Sequence, residues 1–149
     1  MPTWLKVVLV IAAIGVLGLV AIGFGGYWWL KSNKDRFVEI GKRAKADGAQ
    51  FAATHDGAGC LREALRRLDR ADGIMAQAEV KVFLSSCLDE ARESPGLCDG
   101  VPPKGEIMRT AGWSVGKCTQ LGRSGDQPCN QLITAMQEHC DKRGQQPAR

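Results

Sequence analysis

The chain has 149 residues, 44% hydrophobic and 24% charged, with six cysteines and a formal net charge of +4. That mixture excludes a collagen-like, low-complexity or wholly disordered chain. The length leaves no room for a (β/α)8 barrel of about 250 residues or for a full α/β-hydrolase sheet.

After a short tail (residues 1–6), residues 7–30 read VVLVIAAIGVLGLVAIGFGGYWWL without one charged side chain. As a helix this run is about 36 Å long, against a bilayer hydrocarbon core of about 30 Å. It is predicted to be a single transmembrane anchor. Trp4 precedes the run and Tyr27, Trp28 and Trp29 close it, the aromatic belt of two membrane interfaces. Lys6 and Lys31 are placed to snorkel at either end. The run outlasts the apolar region of a cleavable signal and ends in bulky aromatics, so an uncleaved signal-anchor is expected. Gly15, Gly18 and Gly25 fall near one helix face, where small residues permit close helix approach and a homodimer.

Residues 31–57 are predicted to be a basic juxtamembrane helix and turn. Lys31, Lys34, Arg36, Lys42, Arg43 and Lys45 face only Asp35 and Glu39 in number, whereas residues 46–149 are near neutral. A positive collar beside a bilayer attracts anionic lipid head groups by about 1 kcal/mol per charge close to the surface. No recognisable nucleic-acid module and few aromatics accompany it, so no nucleic-acid partner is expected. Phe37, Ile40, Ala44 and Phe51 have roughly helical spacing over 32–53, with Gly41 and Gly48 counting against the helix.

Residues 58–141 are predicted to form a Cys-rich helical domain and 142–149 a flexible tail. The clearest helix is 59–71, where Leu61, Ala64, Leu65 and Leu68 follow the i, i+3, i+4, i+7 pattern. Asp72-Gly73 breaks it, and Asp72 is the expected cap of a helix over 74–92, whose apolar positions are Ile74, Ala78, Val82, Leu84, Cys87, Leu88 and Ala91. Turn chemistry marks 95–105 as a loop. A helix over 106–120 holds Ile107, Met108, Trp113, Val115 and Cys118, against the helix-weakening Gly112 and Gly116. The last helix is expected to begin at Pro128, with Cys129, Leu132, Ile133, Met136 and Cys140 on one face. The fold class is therefore all-α: one transmembrane helix, then a small disulfide-stapled domain of four to five helices.

Cys60, Cys87, Cys98, Cys118, Cys129 and Cys140 are even in number and dense for this length, as in a disulfide framework of an oxidising compartment. Metal binding fits the pattern poorly, because no C-x2-C or C-x4-C pair occurs; buried free thiols are the other alternative. Six cysteines allow fifteen pairings. A hairpin folded at Asp72-Gly73 brings Cys60 to Cys87, and the 122–127 turn brings Cys118 to Cys129. That leaves Cys98 with Cys140. Cys129 and Cys140 are about 16 Å apart on one helix and beyond disulfide reach.

Orientation has two opposed signals. The collar puts the large domain in the cytoplasm by the positive-inside rule, whereas the cysteines put it outside, and the extracytoplasmic placement is preferred. Gly112-Trp113-Ser114-Val115-Gly116 matches the G-x-S-x-G nucleophile elbow, with Asp126 and His139 following in hydrolase order. An elbow needs a strand before its serine, and residues 104–111 do not read as one. The expected function is thus a membrane-anchored interaction or structural module without catalysis or cofactor, its protein partner unspecified. The rivals are a membrane-bound serine hydrolase and a cytoplasm-facing domain with reduced thiols.

Overall fold

The structure is a computed structural model, and it describes residues 3–103 and 105–144. Among the described residues there are five helices and no strand: α1 (Thr3–Ala52), α2 (Gly57–Leu68), α3 (Gly73–Glu90), α4 (Ile107–Gln120) and α5 (Gln127–Gly144). The chain divides into two compact units, Met1–Glu39 and Ile40–Arg149. The compact domain thus begins within α1, earlier than residue 58, because residues 44–52 have a partner to pack on.

In the first unit α1 contains an apolar stretch, Ile11–Trp28, of mean hydropathy 1.9, none of it buried within the structure. Among the described residues, one helix is therefore long and apolar enough to cross a membrane.

In the second unit the last turns of α1 press against α3. A Cβ at Gly48 would stand 2.4 Å from the Phe83 carbonyl oxygen and 3.0 Å from the Cys87 amide nitrogen. Glycine is what lets these two backbones approach. The Ser86 hydroxyl donates to the Lys45 carbonyl at 2.8 Å across the same contact, and Phe51 meets Phe83 edge-on at 5.7 Å between ring centroids. The glycine that weakens the helix in isolation fixes its packing.

α2 starts where Asp56 accepts a hydrogen bond from the Gly59 amide at 2.8 Å, satisfying one of the orphan N–H groups of a helix start. Its buried face is Gly57, Cys60, Ala64 and Leu68. α3 begins at Gly73, whose φ of 79° suits glycine alone among common residues. Asp72 holds the N-cap position but makes no side-chain cap hydrogen bond, so it does not cap the helix as expected. The face α3 buries is Val80, Phe83, Leu84, Cys87 and Leu88, a clean i, i+3, i+4, i+7, i+8 stripe. Ile74 (83% exposed) and Val82 point outward instead, because that stripe turns them away from α2 and α5.

α4 forms despite Gly112 and Gly116, which stand on its exposed side with nothing within 4 Å of a would-be Cβ. Only Ser114 and Cys118 of α4 are buried; Ile107 and Met108 are exposed. α5 is the central helix, packing on α2, α3 and α4. Asp126 accepts from the Cys129 amide at its start, and Leu132, Ile133, Met136 and Cys140 are all buried. The core joins these side chains to Phe83, Leu84 and Leu88.

The six cysteines stand in three pairs at disulfide distance: Cys60–Cys87, Cys98–Cys140 and Cys118–Cys129, with Cα separations of 5.8, 5.5 and 6.1 Å. The two turns bring the first and third pairs together, and the second ties the α3–α4 loop to α5.

Candidate functional site

Two parts of the molecule are candidates, and each is built from its own residues. The first is the apolar stretch of α1. Ile14, Leu17, Val20, Ile22 and Phe24 are all at least 61% exposed, on every side of the helix. No face has been reserved for polar groups, which is the opposite of an amphipathic surface helix. Trp4, Tyr27 and Trp28 are exposed at its ends, as is Lys31. The side chains of Lys6 and Trp29 lie outside the described residues. Gly15, Gly18 and Gly25 have open space around them.

The second is a cavity of about 710 Å³ in the Ile40–Arg149 unit, between residues 91–103 and the end of α5. Turn residues make this loop: Pro95, Gly96 at φ 79° and Gly100 at φ 69°. It is held at both ends by hydrogen bonds. The Gly57 amide donates to the Arg92 carbonyl at 3.1 Å and the Ala58 amide to the Ser94 hydroxyl at 2.8 Å. At the far end the buried Gln137 amide donates to the Pro102 carbonyl and to the Thr110 hydroxyl, both at 2.8 Å. Between those pins, Cys98 and Cys140 both line the cavity. Arg143 pairs with Glu93 at the rim.

His139 also lines this cavity, and its Nδ1 lies 3.3 Å from Asp89. Burial pushes its pKa below the usual imidazole value, opposed by the hydrogen bond to Asp89 and reinforced by the nearby Arg143 and Lys142 charges. The imidazole is therefore biased toward its neutral form.

The residues of the G-x-S-x-G reading are each engaged elsewhere. Ser114 lies within α4 and its hydroxyl donates to the Ala111 carbonyl of its own helix at 3.0 Å. Asp126 accepts from Arg123 at 2.8 Å and caps α5. His139 faces Asp89. The turn from strand to helix that exposes a nucleophile is replaced here by a continuous helix. Among the described residues, no group of three or more His, Cys, Asp or Glu side chains is arranged to hold a metal ion.

Charged side chains knit the other faces. Arg123 reaches Asp69, Asp126 and the Leu65 carbonyl, locking the end of α2 to the α4–α5 turn. Arg67 lies 3.8 Å over the Phe83 ring and pairs with Asp47 and Glu63. Arg66, and Arg67 after it, hold the Glu63 carboxyl down to about 2.

Sequence reasoning missed Gln137, the Asp89–His139 pair and Gly48. The first two join residues 27 to 50 positions apart, and no local spacing announces such contacts. No family model, curated protein or solved structure matches the chain.

Proposed function

We propose that the chain is a single-pass membrane protein, anchored through residues 7–30, that carries a disulfide-stapled helical domain on the extracytoplasmic side. There it works as a protein-interaction or structural module. The observation that carries this reading is the exposure of an apolar surface around the whole circumference of Ile11–Trp28. Contiguous apolar patches beyond a few hundred Å² are rare on soluble monomers and mark binding or membrane surfaces. A bilayer is the cover whose thickness matches this length. The three cysteine pairs support an oxidising compartment, since reducing compartments keep such thiols apart. Lys31, Lys34 and Arg36 follow the apolar run closely enough to meet anionic head groups.

A second reading keeps the anchor and turns the domain to the cytoplasm. The six basic residues of the collar favour it, because Lys and Arg near a membrane helix are retained on the cytoplasmic side. Alkylation of the denatured, unreduced protein from native membranes, combined with protease treatment of sealed vesicles, separates the two. The first reading expects no alkylated cysteine and a domain digested only from the outer face. Six alkylated cysteines, with digestion from the cytoplasmic face, overturn it.

A further inference from the structure

The three cysteine pairs do not share one environment. Cys60, Cys87, Cys118 and Cys129 are at most 1% exposed, sealed among the helices they join. Cys98 is exposed, in the loop between α3 and α4, and both it and Cys140 line the open cavity. Attack on a disulfide requires a thiolate to reach one sulfur along the S–S axis, so access ranks the three pairs as substrates.

The loop is also built to survive loss of its crosslink. Its two ends stay pinned by Gly57 to Arg92, Ala58 to Ser94 and Gln137 to Pro102. These hydrogen bonds lie outside the stretch 95–101 that the Cys98–Cys140 bond restrains. The core helices α2, α3 and α5 keep the Cys60–Cys87 bond and their shared core, and α4 stays tied to α5 through Cys118–Cys129. Opening the Cys98–Cys140 bond therefore removes the covalent tie between this wall of the cavity and α5, while Leu97 and Val101 still pack on the core and the other two bonds still hold the helices.

We infer that Cys98–Cys140 is a thiol–disulfide exchange site, reduced by a dithiol that docks at the cavity, while the other two pairs are structural. One thiolate of the dithiol attacks Sγ of Cys98. The Cys98–Cys140 bond breaks, a mixed disulfide forms on Cys98, and the electron pair leaves on Cys140 Sγ, which takes up a proton. The second thiol, deprotonated, then attacks the dithiol's own sulfur in the mixed disulfide and releases Cys98 as a thiol. The dithiol is oxidised to a disulfide by two electrons and the Cys98–Cys140 pair is reduced by two.

This inference rests on the disulfide framework of the proposed function, and the two fail differently. Cysteines that alkylate without any reductant defeat that framework; the order of reduction tests the site. The experiment treats the full chain in detergent micelles with increasing dithiothreitol, blocks thiols at intervals with iodoacetamide, and locates the label by peptide mass spectrometry. Circular dichroism is followed in parallel. Cys98 and Cys140 are expected to gain label together, at least about tenfold faster than the other four, without loss of helicity. In a parallel arm, reduced glutathione leaves its adduct on Cys98 rather than Cys140. A Cys98→Ala/Cys140→Ala variant retains its helicity and loses the fast phase. The site is overturned if another pair opens first, if all three open together as the helices melt, or if the glutathione adduct sits on Cys140.

Discussion

Along residues 11–28 of α1, every side chain the structure describes is exposed and each glycine stands in open space. Along residues 44–52 of the same helix, Ala44 and Ala52 are 2% exposed, and Gly48 has no room even for a methyl group. The backbone is helical in both stretches, but the reason differs. The first is a hydrogen-bonded cylinder with an apolar coat, the form that the proposed anchor requires. The second is a helix notched to fit another helix. A glycine thus means little by itself; its neighbours in space decide whether it loosens a helix or seats it.

The comparison breaks most completely if charge enters the first stretch. Leu17→Arg combined with Val20→Arg costs about 2.5–3.5 kcal/mol of insertion for each arginine near the centre of a membrane helix. The expected result is loss of the chain from carbonate-washed membranes, with the second unit still folded. The same two substitutions leaving membrane recovery unchanged would remove the anchor.

In the second unit, the crosslinks set the next largest effect. Replacing Cys60 and Cys87 by alanine opens a closure of 27 residues in sequence separation, worth about 3–4 kcal/mol on the chain-entropy account. Urea unfolding monitored by circular dichroism measures it, and a midpoint equal to wild type contradicts the assignment. Gly48→Ala follows, at about 1–3 kcal/mol for overpacking a filled contact. Gly18→Ala, in the first stretch, has no neighbour to strike and leaves the unfolding of the second unit unchanged. The paired result is the sharpest statement of the difference between the two stretches.

The smallest effect is one of pH. His139 titrates below the usual imidazole value when folded and near 6.5, about its ordinary value, when unfolded. As the pH falls, the unfolded chain therefore takes the proton first, and the native state loses stability. The contribution is full above about pH 6.5 and fades as the pH drops through the lower folded value. Melting temperature measured from pH 7.5 to 5 should fall, and His139→Gln should flatten that part of the profile. Glu63, held at about 2, begins to lose its contribution only at about pH 5, at the acid end of the scan, and the comparison with His139→Gln subtracts it.

Local chemistry made much of this legible. The uncharged run, the turn at Asp72-Gly73 and the buried spacing of α5 are all properties of neighbouring residues. The cysteine pairs at 60–87 and 118–129 follow from folding the chain at two turns. Apart from the cysteine pairs, contacts between distant segments were not legible. Gly48 counted against a helix because Phe83, the residue that explains it, lies 35 positions on. Ile74 and Val82 are apolar positions of α3 that stay exposed, because several apolar faces are available on this helix and only its partners choose among them. The G-x-S-x-G match had the right residues in the wrong surroundings: a helical serine bonded to its own backbone.

The nesting of the crosslinks has a mechanical consequence. The bond from Cys118 to Cys129 lies inside the span closed by Cys98 and Cys140, and the Cys60–Cys87 span precedes both. If the oxidised unit is pulled at residues 40 and 144, only residues 40–60, 87–98 and 140–144 can lengthen. Everything between the bonded cysteines is bypassed by sulfur. Breaking Cys98–Cys140 returns the stretch between them to the pulled path, up to the shorter detour that Cys118–Cys129 still imposes, so the redox state of one pair sets how far this domain extends under tension.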